Sequence, residues 1–310
     1  MGIKYDGLFH LLKEKKISKT QLQKKLGFSS TTIAKLAKNE PISLKVIEDI
    51  CKELDCQPGD ILVMEKDKPE SQLLKMLLEE KEMKLKGGLY HMTQIKFSYN
   101  SNHMEGSRLS EDQTRYIYET NTLAPEGDET TSVDDIMETI NHFQCFDYIL
   151  DHVSDKLSED IIMTCHKILK NNTSDSRKDW FNVGEYKSRP NTVGDSKTTP
   201  PTKVKVEMEN LLTGYNEKTN VSLGDIVEFH YRFESIHPFQ DGNGRVGRLI
   251  MFKECLMHDI IPFIIDESHK LYYYRGLKEY ENEKGFFAGT CMSAQDKYKE
   301  MINYFIGEET

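Results

Sequence analysis

Twelve residues, His237 to Arg248, read HPFQDGNGRVGR and bring together a histidine, an aspartate, an asparagine, two arginines and closely spaced glycines. A neutral imidazole at His237 can take a proton from an incoming hydroxyl. Asp241 is a hard oxygen ligand, suited to a Mg²⁺ that keeps its waters and bridges phosphates. Gly242 and Gly244 let backbone amides approach phosphate oxygens closely. Arg245 and Arg248 lie three apart, so both guanidinium forks can reach one end of a helix. A base, a metal ligand, an anion nest and paired arginines are the parts needed for transfer at a phosphorus atom.

Those groups need elements to hold them. VEFHYRFESI before the stretch and VGRLIMFKECLM after it each carry an apolar helical face. The quoted residues are therefore the connection between two helices, Asp225–Ile236 and Arg245–Met257. Gly242, Asn243 and Gly244 stand at the mouth of the second. There, unpaired N–H groups and the positive end of the helix dipole favour an anion. Two competing readings fail on the residues. A calcium loop starting at Asp241 would have Arg245 and Val246 at its fifth and sixth positions and Phe252 at its twelfth. A Walker loop needs a GK[ST] that does not follow these glycines.

HPFQDGNGRVGR resembles the Fic-family pattern HxFx[D/E]GNGRxxR at every fixed position, and the resemblance extends from about Tyr90 to the C-terminus. It implies an all-α protein with a Fic-type helical core and a small β-hairpin flap. It also implies transfer of AMP from ATP to a hydroxyl of a target protein, the chain itself included, with release of pyrophosphate. In that pattern His237 is the base, Phe239 anchors the loop and Asp241 holds Mg²⁺ on the α- and β-phosphates. Gly242, Asn243 and Gly244 cradle phosphates, with Asn243 near the α-phosphate. Arg245 assists the β-phosphate and the metal, and Arg248 pairs with the γ-phosphate. The turn-rich stretch Trp180–Pro201 reads as a hairpin. Its Asn191, Thr192, Val193 and Gly194 stand where the family places a flap that docks the target by strand pairing.

A second motif precedes the loop. Ser101-Asn-His-Met-Glu105-Gly106 resembles the family's inhibitory [S/T]xxxE[G/N], on a helix expected at about 98–106. Ser101 and Glu105 are four apart and share a helical face. A carboxylate paired with Arg248 would occupy the arginine that a γ-phosphate needs. The same glutamate in some relatives positions water for removal of AMP, so the direction of reaction stays open, as does transfer of another phosphate-containing group.

The 310 residues carry a net charge of −10, yet residues 1–38 hold nine lysines against Asp6 and Glu14, a local +7. KISKTQLQKKLGFSSTTIAKLAKNEPIS resembles the Cro/C1-type helix-turn-helix. Ser18 would cap a helix through Leu26, Gly27 would end it, and Ser29 or Ser30 would cap the next, Thr31–Lys38. Ser43 would cap Leu44–Leu54, and QPGD reads as a turn. The resemblance places Ser30, Thr31, Thr32, Lys35 and Lys38 on a DNA-recognition helix. Such modules usually bind DNA as dimers, which makes a homodimer an expectation to test. A DNA-binding regulator whose second half senses nucleotide is the alternative; the intact His237 argues against it, because a sensor needs no base.

The division expected is a helix-turn-helix domain at 1–65, a charged connector at 66–89 and a Fic region at 90–310 with its core at about 155–295. Helical periods also mark Asp134–Val153, Ser158–Leu169 and Val204–Leu212. Apolar content of 37% against 30% charged residues is an ordinary globular balance. No apolar run nears the ~20 residues of a membrane span, and the N-terminus lacks a secretion signal. The six cysteines are scattered without CxxC spacing. Reduced thiols in the cytoplasm, with no membrane partner, are the expectation.

Overall fold

The structure is a computed structural model that describes residues 2–65, 71–123, 130–194 and 196–306. The chain divides into two compact units, Met1–Glu70 and Ser71–Thr310.

The first unit holds β1 (Gly2–Lys4), α1 (Asp6–Glu14), α2 (Lys19–Leu26), α3 (Ser30–Ala37), α4 (Leu44–Leu54), α5 (Pro58–Ile61) and β2 (Val63–Glu65). Local chemistry sets its boundaries. Ser18 and Gln21 form a reciprocal capping box at the start of α2, and Gly27 closes it in the left-handed region at φ 66°. Ser29 caps α3 through the Thr32 amide, and Ser43 caps α4 through the Val46 amide. Leu8, Leu22, Leu36, Ile50 and Ile61 are buried in this unit's own core. Two features depart from expectation. QPGD is not a simple turn but opens α5: Pro58 pre-sets the first helical φ, and the Gln57 amide donates to Asp60 at 2.8 Å. The unit also contains an antiparallel pair, β1 with β2, in which Ile3 faces Met64. Three-residue strands are too short for an alternation to show in a sequence.

The second unit runs through α6 (Gln72–Met83), α7 (Leu89–Met104), α8 (Glu111–Thr120), α9 (Val133–Asp151), α10 (Glu159–Leu169), β3 (Thr192–Val193), β4 (Ser196–Lys197), α11 (Pro201–Asn216), α12 (Leu223–Ile236), α13 (Asn243–Met257), α14 (Glu267–Lys278) and α15 (Lys284–Ile306). Residues 66–70 of the expected connector lie outside the described residues. The rest of it belongs to this unit, since Leu74 and Leu77 of α6 are buried in its core.

Helix α13 is the axis of the unit. Val246, Leu249, Ile250, Met251, Phe252, Cys255 and Leu256 are all buried, so its apolar surface wraps the whole circumference. Even Lys253 is fully enclosed, and its ammonium is satisfied by the Asp155 carbonyl at 2.7 Å and Glu254 at 2.8 Å. The helix begins at Asn243, two residues before the Arg245 expected from periodicity, because Gly242 at φ 80° serves as its cap. The β3–β4 hairpin is antiparallel, Thr192 opposite Lys197 and Val193 opposite Ser196. Among the described residues no helix is long and apolar enough to cross a membrane. Among the described residues the fold is all-α apart from these two short strand pairs.

Candidate active site

The site is built where α12 hands over to α13. His237 ends α12 in the left-handed region, φ 50°, its amide bonded to the Phe233 carbonyl at 2.9 Å. A non-glycine residue held there is strained, and such strain persists only where the surroundings over-determine it. Phe239 supplies much of that determination. It is fully buried and stacks on His166 at 3.9 Å with an interplanar angle of 3°. His166 in turn hydrogen-bonds the Asp241 carbonyl at 3.2 Å and accepts from the Gly184 amide at 2.9 Å. The expected anchor role of Phe239 thus has a geometric basis.

Asn243 helps to shape the loop. The family pattern places it near an α-phosphate, yet its side chain is 1% exposed and turned inward. Its Oδ1 accepts from the Phe239 amide at 2.8 Å and its Nδ2 donates to the Phe239 carbonyl at 2.9 Å. Each end of the amide thus makes one bond to the Phe239 backbone, which fixes the loop. Gly242 and Gly244 flank it, as the cradle reading requires.

Arg248 is buried at the mouth of α13. Its Nε donates to Ser101 Oγ at 3.1 Å and its Nη2 to the Ser101 carbonyl at 2.9 Å. Nη2 also donates to Glu105 Oε1 at 2.7 Å. The two residues singled out in the second motif therefore both meet this one guanidinium. Burial alone would lower the Arg248 pKa, but the Glu105 carboxylate outweighs it and raises it. Glu105 is the C-cap of α7 rather than a residue within it, and Gly106 leaves the helix at φ 100°. The carboxylate rests on Gly244, where an added Cβ would come within 2.3 Å of Oε1. A side chain at 244 would thus strike the carboxylate in the cradle.

Asp241 and Arg245 belong to a second ionic cluster. Asp241 Oδ2 lies 2.7 Å from Lys170 Nζ and 3.2 Å from Arg245 Nη2. Arg245 also pairs with Glu138, and Lys170 contacts Glu138 at 2.6 Å and Asp175 at 2.7 Å. Desolvation would raise the Asp241 pKa, but Arg245 and Lys170 prevail and hold it well below the usual carboxylate range. Carboxylate oxygens of Glu138, Asp175 and Asp241 all lie within 4.8 Å of one another. The Lys170 ammonium lies against all three, and Asp241 is the half-exposed member.

His237 is mostly buried. Desolvation, helped by the Lys187 charge, pushes its pKa down to about 4, so the imidazole is neutral at physiological pH. Behind it sits Glu234, whose carboxyl is driven up to about 8 by burial and by the Glu105 charge.

The hairpin is tied to this loop. Asn191 Nδ2 donates to the Phe239 carbonyl at 3.0 Å, so its side chain faces the catalytic loop. Thr192, Val193 and Gly194 are exposed; Asp195 lies outside the described residues. In the first unit Ser30, Thr31, Lys35 and Lys38 are exposed on or just past α3. Thr32 is half-buried, and its hydroxyl pairs with the Ser29 cap at 3.0 Å.

Glu138, His166, Lys170, Asp175, Lys187 and Glu234 were not anticipated. Only Glu234 had a signal. It continues the Val227–His230 stripe of α12, so an acid stands on a face that must be buried. The tyrosines of LYYYRGL divide: Tyr273 is buried beside Arg248 with the guanidinium 5.8 Å from its ring centre, while Tyr272 and Tyr274 are exposed.

Comparison with known proteins gives two domain matches. Residues 156–255 match the Fic/DOC family, and residues 8–67 match the Cro/C1-type HTH DNA-binding domain. Protein adenylyltransferase fic-1 of Caenorhabditis elegans is 25% identical over 193 residues, 60% of this chain and 36% of that protein. Protein adenylyltransferase Fic of Nematostella vectensis is 26% identical over 190 residues, covering 58% and 42%. This chain therefore spans well under half the length of those relatives. A Fic domain containing signaling protein from Bacteroides thetaiotaomicron superposes with a TM-score of 0.57 at 25% identity, covering 74% of this chain and 90% of that one.

Proposed function

From a chain that carries a Fic/DOC domain behind a Cro/C1-type helix-turn-helix domain, we propose a protein adenylyltransferase that restrains itself through Glu105. The observation that carries this reading is the Glu105 carboxylate, held by Arg248 over Gly244 at the mouth of α13. Its oxygens stand in for those of a terminal phosphate. A site that grips one anion by a guanidinium and a helix N-terminus is chemically suited to another.

In the forward reaction the target's hydroxyl oxygen attacks the α-phosphorus of ATP. Its proton goes to the neutral His237 imidazole, the bond from the α-phosphorus to the bridging oxygen breaks, and pyrophosphate leaves. The amides at Gly242, Asn243 and Gly244 face the phosphates, and Arg248, once freed of Glu105, pairs with the γ-phosphate. Asp241 would hold Mg²⁺, with Glu138 and Asp175 close by, and the ion would neutralise charge on the phosphate oxygens. Arg245, paired with Asp241 and Glu138 in that cluster, assists the β-phosphate. The exposed edge at Thr192–Val193 suits a target backbone laid alongside as an added strand.

The acceptor is a hydroxyl of a target protein or of the chain itself. The basic first unit suits DNA, with Lys35 and Lys38 as phosphate contacts, and a homodimer would match paired half-sites. Incubation of the Glu105→Gly protein with ATP labelled in its α-phosphate tests the reading: covalent label is expected, and its absence with every protein offered would remove it.

A further inference from the structure

Lys187 lies outside every motif of the sequence, yet it sits where hairpin and catalytic loop meet. It is 3% exposed. Its ammonium has three protons and three acceptors: Asn191 Oδ1 at 2.7 Å, Thr198 Oγ1 at 2.7 Å and the Ile236 carbonyl at 3.3 Å. Asn191 precedes β3 and Thr198 follows β4, so one side chain closes the base of the hairpin. Ile236 is the residue before His237. The backbone amide of Lys187 donates to the Pro238 carbonyl at 2.8 Å, on the other side of His237. Lys187 thus brackets His237 along the chain while gripping both arms of the hairpin.

The acceptors are all neutral, and among the described residues no carboxylate lies within ion-pair distance of this ammonium. Burying a cation against neutral oxygens alone is costly, and the pKa falls to about 8 by desolvation. A neutral side chain could fill the space more cheaply, so the charge itself calls for a use. The groups acting on His237 supply one. Burial disfavours the charged imidazole most, while the Glu234 backbone on α12 and the charges of Glu105 after α7 and Asp241 in the loop favour it. Lys187 is the cation that opposes them.

We propose that Lys187 is a positioning residue for the transfer reaction: it locks the target-docking hairpin to the catalytic loop on both sides of His237, and its charge adds to the burial that holds that imidazole unprotonated. This rests on the adenylyltransferase reading for the hairpin's use, but the effect on His237 stands apart from it. Two arms separate them. In the first, the His237 ring is followed by NMR pH titration in the full-length protein, assigned by its loss in His237→Ala. Lys187→Met should shift that titration to higher pH, and Lys187→Arg, which keeps the charge, should restore it. In the second, AMP incorporation is measured against pH in the Glu105→Gly background. Lys187→Met should lose several-fold in rate, with its acid limb displaced to higher pH. Thr198→Val, which loosens the hairpin but leaves the charge, should lose rate without moving that limb. Titrations that superimpose for parent and Lys187→Met would overturn the proposal, even if no variant transfers AMP. Should Lys187→Met fail to fold, an unchanged rate in Thr198→Val would overturn the hairpin lock. An unlabelled Glu105→Gly parent would count against the transfer reading, while the NMR arm would still decide the hold on His237.

Discussion

Glu105 Oε1 accepts a hydrogen bond from Arg248 Nη2 at 2.7 Å, joining residues 143 positions apart at the mouth of α13. Arg248 is almost wholly buried and Glu105 is under one-third exposed, so the pair is poorly screened by solvent. The same guanidinium also donates to Ser101, which fixes the direction it points. A phosphate reaching for Arg248 must first displace that carboxylate.

Removal of the carboxylate should therefore raise transfer. A charge-assisted hydrogen bond of this kind contributes ~1.5–3 kcal/mol. If all of it opposes productive binding, Glu105→Gly should gain roughly tenfold to a hundredfold in AMP incorporation. Initial rates with α-labelled ATP compare the two proteins, and equal rates would take Glu105 out of the switch.

Glu234 should leave a mark on stability. Its carboxyl titrates near 8 in the fold, against an ordinary value of 4.5. Between those values the unfolded chain has lost the proton and the folded chain keeps it. Stability from this group is thus full below about pH 4.5 and falls as pH rises to about 8. Glu234→Gln has no such proton to lose. Thermal unfolding should show the variant gaining on the parent from about pH 5 to pH 8.5, and a constant difference would contradict the raised carboxyl.

The first unit offers a salt test. Lys35 and Lys38 are exposed on and just past α3. If they contact phosphates, Lys35→Gln with Lys38→Gln should weaken DNA retention for all sequences alike. The slope of log affinity against log salt should then become shallower by about two. Fluorescence anisotropy over a salt series reads both. No retention by the parent at low salt would assign the unit to protein contacts instead.

How far the sequence could be read depended on distance along the chain. The loop from His237 to Arg248 was legible because its parts are adjacent and their spacing fixes them at a helix mouth. The Glu105–Arg248 contact was legible through its own short motif. Glu138 and Lys170 were not, because their meaning comes from α9 and α10 converging on Asp241, and no local period marks such a meeting. Asn243 shows a different limit: that its side chain bonds the Phe239 backbone was not readable from its type or position. The β1–β2 pair was invisible because each strand is only three residues long.

Of all measurements, intact-protein and peptide mass spectrometry after incubation with ATP and Mg²⁺ bears most directly on the chemistry assigned to His237. The Glu105→Gly protein, alone or with a target, should gain the mass of one or more AMP groups on hydroxyl side chains. Glu105→Gly combined with His237→Ala should gain none while still binding ATP by calorimetry. AMP gained equally by both proteins would contradict His237 as the base. No gain by either, with ATP bound away from the mouth of α13, would contradict the site itself.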